Sequence, residues 1–306
     1  VSDLGALLGD AGLQVRGDVP LGPLTTYRVG GPARWFVEVG SEVELVALAG
    51  VLAGRADEVL VVGRGSNLLV HDDGFDGVAV RLGGALSEVA VEGTVVVAGG
   101  AASLPVVARR SVAEGLAGFE WAVGVPGSVG GAVRMNAGGH GSDIAAVLQG
   151  VRVVDLGTGE TSDMSPASLE LDYRRSSIGP RQVVVSAALG LHRGDAARGE
   201  AEMAEIVRWR REHQPGGHNA GSVFTNPPGD SAGRLVDAAG CKGLRMGSAQ
   251  VSPKHANFIQ VDEGGSALDV HRLMVEVARR VRGRLGVVLR PETRLVGFPD
   301  LPGEQR

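Results

Sequence analysis

The run GVPGSVGGAVRMNAGGHG, residues 124–141, decides how this chain is read. So many small residues in one stretch let main-chain amides approach an anionic ligand closely, and the run reads as a phosphate cradle. A second candidate lies upstream in VLVVGRGSNLLV, residues 59–70, where an apolar run is broken by Gly63, Gly65, Ser66 and Asn67 and then resumes. A strand entering a tight glycine turn presents a concavity of N–H donors, which holds a pyrophosphate without a cation. Neither turn carries the dinucleotide fingerprint, because Gly63-Arg64-Gly65 is followed by Ser66, Asn67 and Leu68 with no third glycine in place. Glycine is also abundant throughout, at 49 of 306 residues against a usual share of roughly 7%, so glycine spacing alone leaves ordinary turns open.

A chain of 306 residues has room for two or three domains. The net charge is −5, from 30 basic and 35 acidic residues, and no Lys/Arg block is extended. That argues against a nucleic-acid surface and leaves small anionic ligands open. The start of the chain lacks a basic segment, and no apolar run approaches the ~18 residues of a membrane span, so a cytosolic, membrane-free protein is expected. The lone Cys241 excludes an internal disulfide and any multi-cysteine zinc site. Seven histidines without an HExxH or other close pairing give no support for a metal.

Valine-rich runs at 59–62, 78–82, 95–98, 151–154 and 183–189 predict strands, and 42–54 and 103–114 predict helices. The Leu156–Gly159 turn predicts a hairpin. The polar, small segment 194–202 suggests a domain boundary, with a helix over 200–212 beyond it. A Gly/Pro/Asn loop, GGHNAGSVFTNPPGD, comes next, then a short helix over 232–239. Val270, Leu273, Met274, Val277 and Val281 share one helix face, and Ser266 and Asp269 have capping-box spacing. The stripe is core, not a site. VVLRPETRLVGF, 287–298, predicts a final strand interrupted by Pro291.

Three polar residues stand out by context. Ser222 follows Gly221 and precedes Val223 and Phe224, so its hydroxyl sits on a tight backbone and can donate a proton, although a Ser after Gly is ordinarily a turn residue and G-S-V-F is not the G-x-S-x-G elbow. Glu292 stands in an otherwise Val/Leu/Arg/Thr strand; such a carboxylate needs a partner, and an ordinary salt bridge to Arg290 or Arg294 stands beside a catalytic role. Arg174, in DYRRSSIG, carries a guanidinium fork suited to carboxylate or phosphate, with plain surface solvation as the alternative.

In order along the chain stand PLGPLTTYRVGGPA (20–33), VVGRGSNLLV, GVPGSVGGAVRMNAG, DYRRS, NAGSVFTNP, AGRLVDAAGCKGLRMGSAQVSPKHANFI and RPETRLVG. Together these blocks resemble the UDP-N-acetylenolpyruvoylglucosamine reductase family, flavoenzymes that make UDP-N-acetylmuramate for bacterial peptidoglycan. The resemblance spans about residues 20–298. It implies an α+β fold: an FAD-binding domain of the vanillyl-alcohol-oxidase type in two subdomains (1–80 and 81–197), then an α+β substrate domain (198–306). It implies non-covalent FAD, NADPH as co-substrate, a nucleotide-sugar substrate and a monomer. By the resemblance, Gly63, Arg64, Gly65, Ser66 and Asn67 and then Pro126, Gly127, Ser128, Val129, Gly131, Ala132 and Asn136 are cofactor contacts. Ser222 is the proton donor, with Arg174 and Glu292 as its catalytic partners; Tyr173, Arg210, Asn226, Arg234 and His255 line the substrate site.

The mechanism so implied passes a hydride from NADPH to flavin N5 and then to C3 of the vinyl ether. Arg174 would stabilise the enolate-like charge and Ser222 would protonate C2. A second carboxylate there would repel that charge, so Glu292 must be protonated or orient a donor or water. It also implies that Arg174, Glu292 and Ser222 converge in an interdomain cleft. The chain departs from the family at Thr225, where Lys is common, so that a phosphate contact is lost or passes to a residue such as Arg210; it departs again at His140, where Tyr is common. Only 47 residues separate Arg174 from Ser222, which leaves no room for the substrate-covering insertion of the longer family type.

Overall fold

β-branched side chains fit a half-buried pleat, and the valine runs form the strands of two sheets. The computed structural model describes residues 4–301. Its helices and strands make an α+β fold that divides into two compact units, one of residues 4–18, Arg34–Arg64 and Asp76–Arg210, the other of Val19–Ala33, Gly65–Phe75 and 211–301.

In the first unit, Gln14–Pro20, Pro32–Val39, Phe75–Leu82 and Val59–Val62 lie in that order in a four-stranded sheet, with Val59 opposite Val78 in the parallel pair. The helix Glu42–Leu52 is capped by Ser41 and buries Leu45, Leu48, Ala49 and Leu52. These pack with Val37, Val78 and Val80, and with Val154 and Val185 of a second sheet. That second sheet is antiparallel, in the order Thr161–Met164, Leu148–Asp155, Gln182–Gly190, Val95–Gly99, Val89–Glu92. Its first two strands are the hairpin predicted around Leu156–Gly159. Helix Leu104–Ala113 buries Leu104, Val107, Ala108 and Val112 in the same core as Val96, Val129 and Val151.

In the second unit, Arg245–Met246, Ala249–Val251 and Ile259–Val261 form an antiparallel sheet. The predicted stripe of Val270, Leu273, Met274, Val277 and Val281 on helix Ala267–Leu285 is fully buried in a core with Leu235, Val236, Val251 and Ile259. The expected capping box forms by half. The Ser266 hydroxyl accepts from Leu268 N and Asp269 N, but the Asp269 carboxylate takes Ser248 N and Oγ at 2.8 Å instead of reaching back. The second cap is Asp72, whose carboxylate accepts from Ser266 Oγ, Ala267 N and Leu268 N.

The units cut across the expected divisions at 80 and 197. The helix predicted over 200–212 begins earlier and runs as Ala196–His213, through the segment expected to be a boundary. Residues 19–33 and 65–75 join the C-terminal segment because Leu68–Val70 pairs in parallel with Arg294–Val296, while Tyr27, Val29 and Leu69 enter that unit's core. The expected final strand over 287–298 narrows to Arg294–Val296; upstream of it Pro291 makes a single bridge with Phe224. Among the described residues, no helix is long and apolar enough to cross a membrane and no cluster of potential metal ligands occurs.

Candidate active site

The Gly63–Asn67 turn has the stereochemistry of an anion cradle. Gly65 has φ of 62°, and a Cβ there would lie 2.0 Å from the Leu24 carbonyl oxygen, so only glycine lets residues 22–25 lie this close. The Thr26 N–H is bound to Gly65 O at 3.1 Å. Among the described residues, the N–H groups of Arg64, Gly65, Ser66 and Asn67 meet no acceptor, and the Thr26 hydroxyl is shut off from solvent with no hydrogen-bond partner. Successive unengaged amides beside an orphaned hydroxyl fit a phosphate ligand.

The glycine run at 124–141 behaves differently. Gly127, Val129, Gly130 and Ala132 donate their N–H groups to Val125 O, Ala102 O, Gly100 O and Ser128 O. The Ser128 hydroxyl caps Val129–Arg134 by accepting from Gly131 N at 3.3 Å. Most of this run's donors are therefore engaged in its own fold. A Cβ at Gly63 would lie 2.5 Å from Ser128 Oγ, so the two glycine turns touch. Pro126 lies between them in sequence, next to Val125 and Gly127.

Farther along, Asn136 has a left-handed φ of 37° and is buried. Its Nδ2 donates to Asp172 O at 3.1 Å and to Asp143 Oδ2, and its Oδ1 accepts from Ala145 N at 3.0 Å. The first of these bonds braces the tight turn in which Asp172 and Arg175 exchange main-chain hydrogen bonds at 3.0 Å, with Tyr173 and Arg174 at its tip. Arg174 is left-handed too, at φ 56°. Its Nη2 donates to Gly138 O at 3.2 Å, and its guanidinium lies 5.4 Å from the exposed Tyr173 ring. Gly138 belongs to a hairpin whose turn residues His140 and Gly141 both have positive φ, as a type I′ turn requires. The His140 ring meets Trp209 edge-on at 5.3 Å. Burial, with help from the nearby Arg210 cation, pushes His140 below its usual range, and burial does the same to the Arg210 guanidinium.

In the second unit the segment after Ser222 pairs with Glu292 through main chain. The Glu292 N–H donates to Val223 O at 2.8 Å, and the Thr225 N–H donates to Arg290 O at 2.9 Å. The buried Asn257 holds the other edge: its main-chain oxygen accepts from Val223 N, its Oδ1 accepts from Phe224 N, and its Nδ2 donates to Phe224 O at 2.8 Å. The half-buried Ser222 hydroxyl has no hydrogen-bond partner among the described residues. Neither Arg290 nor Arg294 makes an ion pair among the described residues, so the salt-bridge alternative for Glu292 with these two is absent. Burial lowers the Arg294 guanidinium below its usual range.

The remaining expected substrate residues are committed to local structure. Asn226 Oδ1 accepts from Ala232 N at the start of helix Ala232–Ala238. Arg234 forms an exposed ion pair with Asp230, whose carboxyl is held down to about 2 by that contact. His255 Nδ1 accepts from Asn257 N at 3.2 Å, and burial keeps the ring neutral-leaning, below its usual range. The Thr225 hydroxyl lies 3.4 Å from Arg290 O. Sequence reasoning missed Asn257; its signal is an amide inside the apolar run Ala256–Ile259, a position that demands partners.

Residues 213–296 match the family described as UDP-N-acetylenolpyruvoylglucosamine reductase, C-terminal domain, and residues 33–165 match an FAD binding domain. The reductase of that name from Rubrobacter xylanophilus is 43% identical over 92% of this chain and 95% of its own. A second, from Symbiobacterium thermophilum, is 41% identical over 96% of each. The crystal structure of the Thermus caldophilus reductase superposes with a TM-score of 0.81 at 36% identity, covering 93% of this chain and 99% of the other.

Proposed function

Because the chain belongs to the UDP-N-acetylenolpyruvoylglucosamine reductase family, an FAD-dependent oxidoreductase family, we propose that it reduces the enolpyruvyl group of UDP-N-acetylglucosamine-enolpyruvate to UDP-N-acetylmuramate with NADPH. The observation that carries this reading is the pairing of the Ser222 segment with Glu292, which brings two separated polar groups onto one braced backbone.

The residues present fit the cofactor. The main-chain amides of Arg64–Asn67 and the enclosed Thr26 hydroxyl would hold the FAD pyrophosphate, with Gly63 seated against Ser128 of the second glycine turn. The binding is taken as non-covalent, which release of the flavin by acid tests. FAD, when bound, supplies two-electron transfer between NADPH and the vinyl ether. Net reduction adds hydrogen to C3 with its electron pair and a proton to C2.

Ser222 supplies that proton. A serine hydroxyl is a weak acid in water, so the site must favour its transient alkoxide, by a cation or main-chain amides at the hydroxyl. Arg174 binds the substrate carboxylate and stabilises the charge that gathers there as C3 is reduced. Its fork suits a carboxylate better than an ammonium would. Glu292 orients a donor or water, or carries a proton itself, since a bare second carboxylate would oppose the developing charge. Arg210, a half-buried cation beside His140, is a residue that could take the phosphate contact that Thr225 does not offer. The three-segment organisation, with a substrate domain after 197, remains part of the proposal.

A visible spectrum of the purified chain tests the cofactor, and acid treatment should release the colour. NADPH oxidation should require the enolpyruvyl nucleotide and yield the lactyl product by mass. A colourless protein that FAD cannot reconstitute overturns the reading.

A further inference from the structure

Glu292 sits in a bend, between the bridge at Pro291 and the strand Arg294–Val296. A residue in a bend has no ladder to fix it, so its orientation depends on individual hydrogen bonds. Among the described residues, two such bonds fall on the Glu292 main chain. Its N–H donates to Val223 O at 2.8 Å, and its carbonyl accepts from Asn67 Nδ2 at 2.9 Å. Asn67 also receives the Arg294 N–H on its own carbonyl at 3.0 Å, immediately before Leu68–Val70 pairs with Arg294–Val296.

The Asn67 side chain is thus turned to the main chain of Glu292. A carboxamide has only two N–H groups, and one of them bridges 225 positions of sequence to a residue in the proposed catalytic set. We propose that Asn67 is a positioning residue for Glu292: its carboxamide fixes the Glu292 peptide, and its contribution to FAD comes through its main-chain amide alone. The inference rests on the role given to Glu292 above. Tilting that peptide by loss of one anchor moves the carboxyl group, and displacement on the scale of 1 Å costs up to about 100-fold in rate.

The test uses the flavin-loaded full chain with Asn67→Ala and the nearly isosteric Asn67→Leu, neither of which removes a main-chain donor. FAD affinity, flavin reduction by NADPH, and flavin reoxidation by the enolpyruvyl nucleotide are measured separately, in the wild-type and Glu292→Gln backgrounds. Expected are FAD affinity and NADPH reduction within about twofold of wild type, reoxidation slowed about 10–100-fold with substrate KM little changed, and no further slowing when Asn67→Ala is added to Glu292→Gln. Loss of FAD with normal reoxidation in the reconstituted variant would make the side chain a flavin ligand and overturn the proposal. Full additivity with Glu292→Gln would do so as well. If Glu292→Gln itself reoxidises at the wild-type rate, the role of Glu292 falls; if only the Asn67 variants do, the positioning role falls alone. Asn67→Leu decides the matter should Asn67→Ala fail to fold.

Discussion

The main-chain N–H of Glu292 donates to the carbonyl oxygen of Val223 at 2.8 Å, so the residue after Ser222 is tied to the residue proposed to act with it. The Thr293 N–H approaches the same oxygen at 3.4 Å. On the opposite edge, Asn257 fixes Val223 and Phe224 through three further bonds. The hydroxyl of Ser222 therefore hangs from a backbone that is held on both sides while, among the described residues, it is itself unengaged.

That arrangement separates the two half-reactions. Ser222→Ala removes one oxygen from a braced segment and should leave flavin reduction by NADPH nearly intact. Reoxidation by the enolpyruvyl nucleotide should slow by roughly 10²–10⁴, the usual weight of a placed proton donor. Rapid-mixing measurements of each half-reaction decide it, and equal slowing of both would make Ser222 structural.

Gly65→Ala probes the cradle. The new methyl would face the Leu24 carbonyl oxygen at 2.0 Å in a left-handed conformation. Left-handed strain alone costs roughly 1–2 kcal/mol, and the clash adds to it because backbone, not a flexible side chain, stands in the way. The thermal midpoint should fall and FAD should be lost together. Full retention of flavin would remove residues 64–67 from the phosphate site.

Much of the fold was legible in local patterns, because valine runs and one apolar helix stripe report burial directly. The stripe from Val270 to Val281 is buried as predicted, and the hairpin around Leu156–Gly159 forms. What sequence could not reveal is long-range pairing. Nothing local in Leu68–Val70 says that its partner is Arg294–Val296 and not a neighbouring strand. The glycine runs were legible as turns, yet not which one keeps its amides available: those of Val129 and Gly130 find acceptors in the distant loop at 100–102 and that of Gly127 in neighbouring Val125, while among the described residues those of Arg64–Asn67 find none. Beside the cofactor contact expected of Asn136, its buried amide also holds Asp172 and Ala145, a bracing role that no local pattern announces.

Acid should destabilise this protein from near neutrality downward. Burial, the largest cause in each case, holds His255 and His271 below the usual 6.5. As pH falls, the unfolded chain takes up these protons before the folded one does. The stability from keeping these rings neutral is therefore complete above about 6.5 and is lost as pH falls from there toward the lower folded values. Thermal unfolding across pH 8 to 5.5 should show a declining midpoint. A flat profile, or ring titrations by NMR at or above the ordinary value, would refute it.

Arg174 combines backbone strain with proposed chemistry, and the two can be pulled apart. It holds φ of 56° at the tip of the Asp172–Arg175 turn, a conformation that costs an ordinary side chain roughly 1–2 kcal/mol and glycine almost nothing. The bonds from Asn136 to Asp172 O and from Arg174 Nη2 to Gly138 O keep the turn in place. Both variants lose the guanidinium, but only alanine keeps the left-handed strain, so Arg174→Gly should be more stable than Arg174→Ala by up to about 1 kcal/mol, glycine's larger unfolded-state entropy offsetting the rest of the relief. Both should reoxidise reduced flavin slowly, with substrate affinity changed much less, because the charge that Arg174 meets develops fully only near the transition state. Arg174→Lys keeps the charge and loses the fork, and should recover little. A pattern in which Arg174→Ala raises KM and leaves kcat untouched would assign the guanidinium to ground-state binding and withdraw it from catalysis.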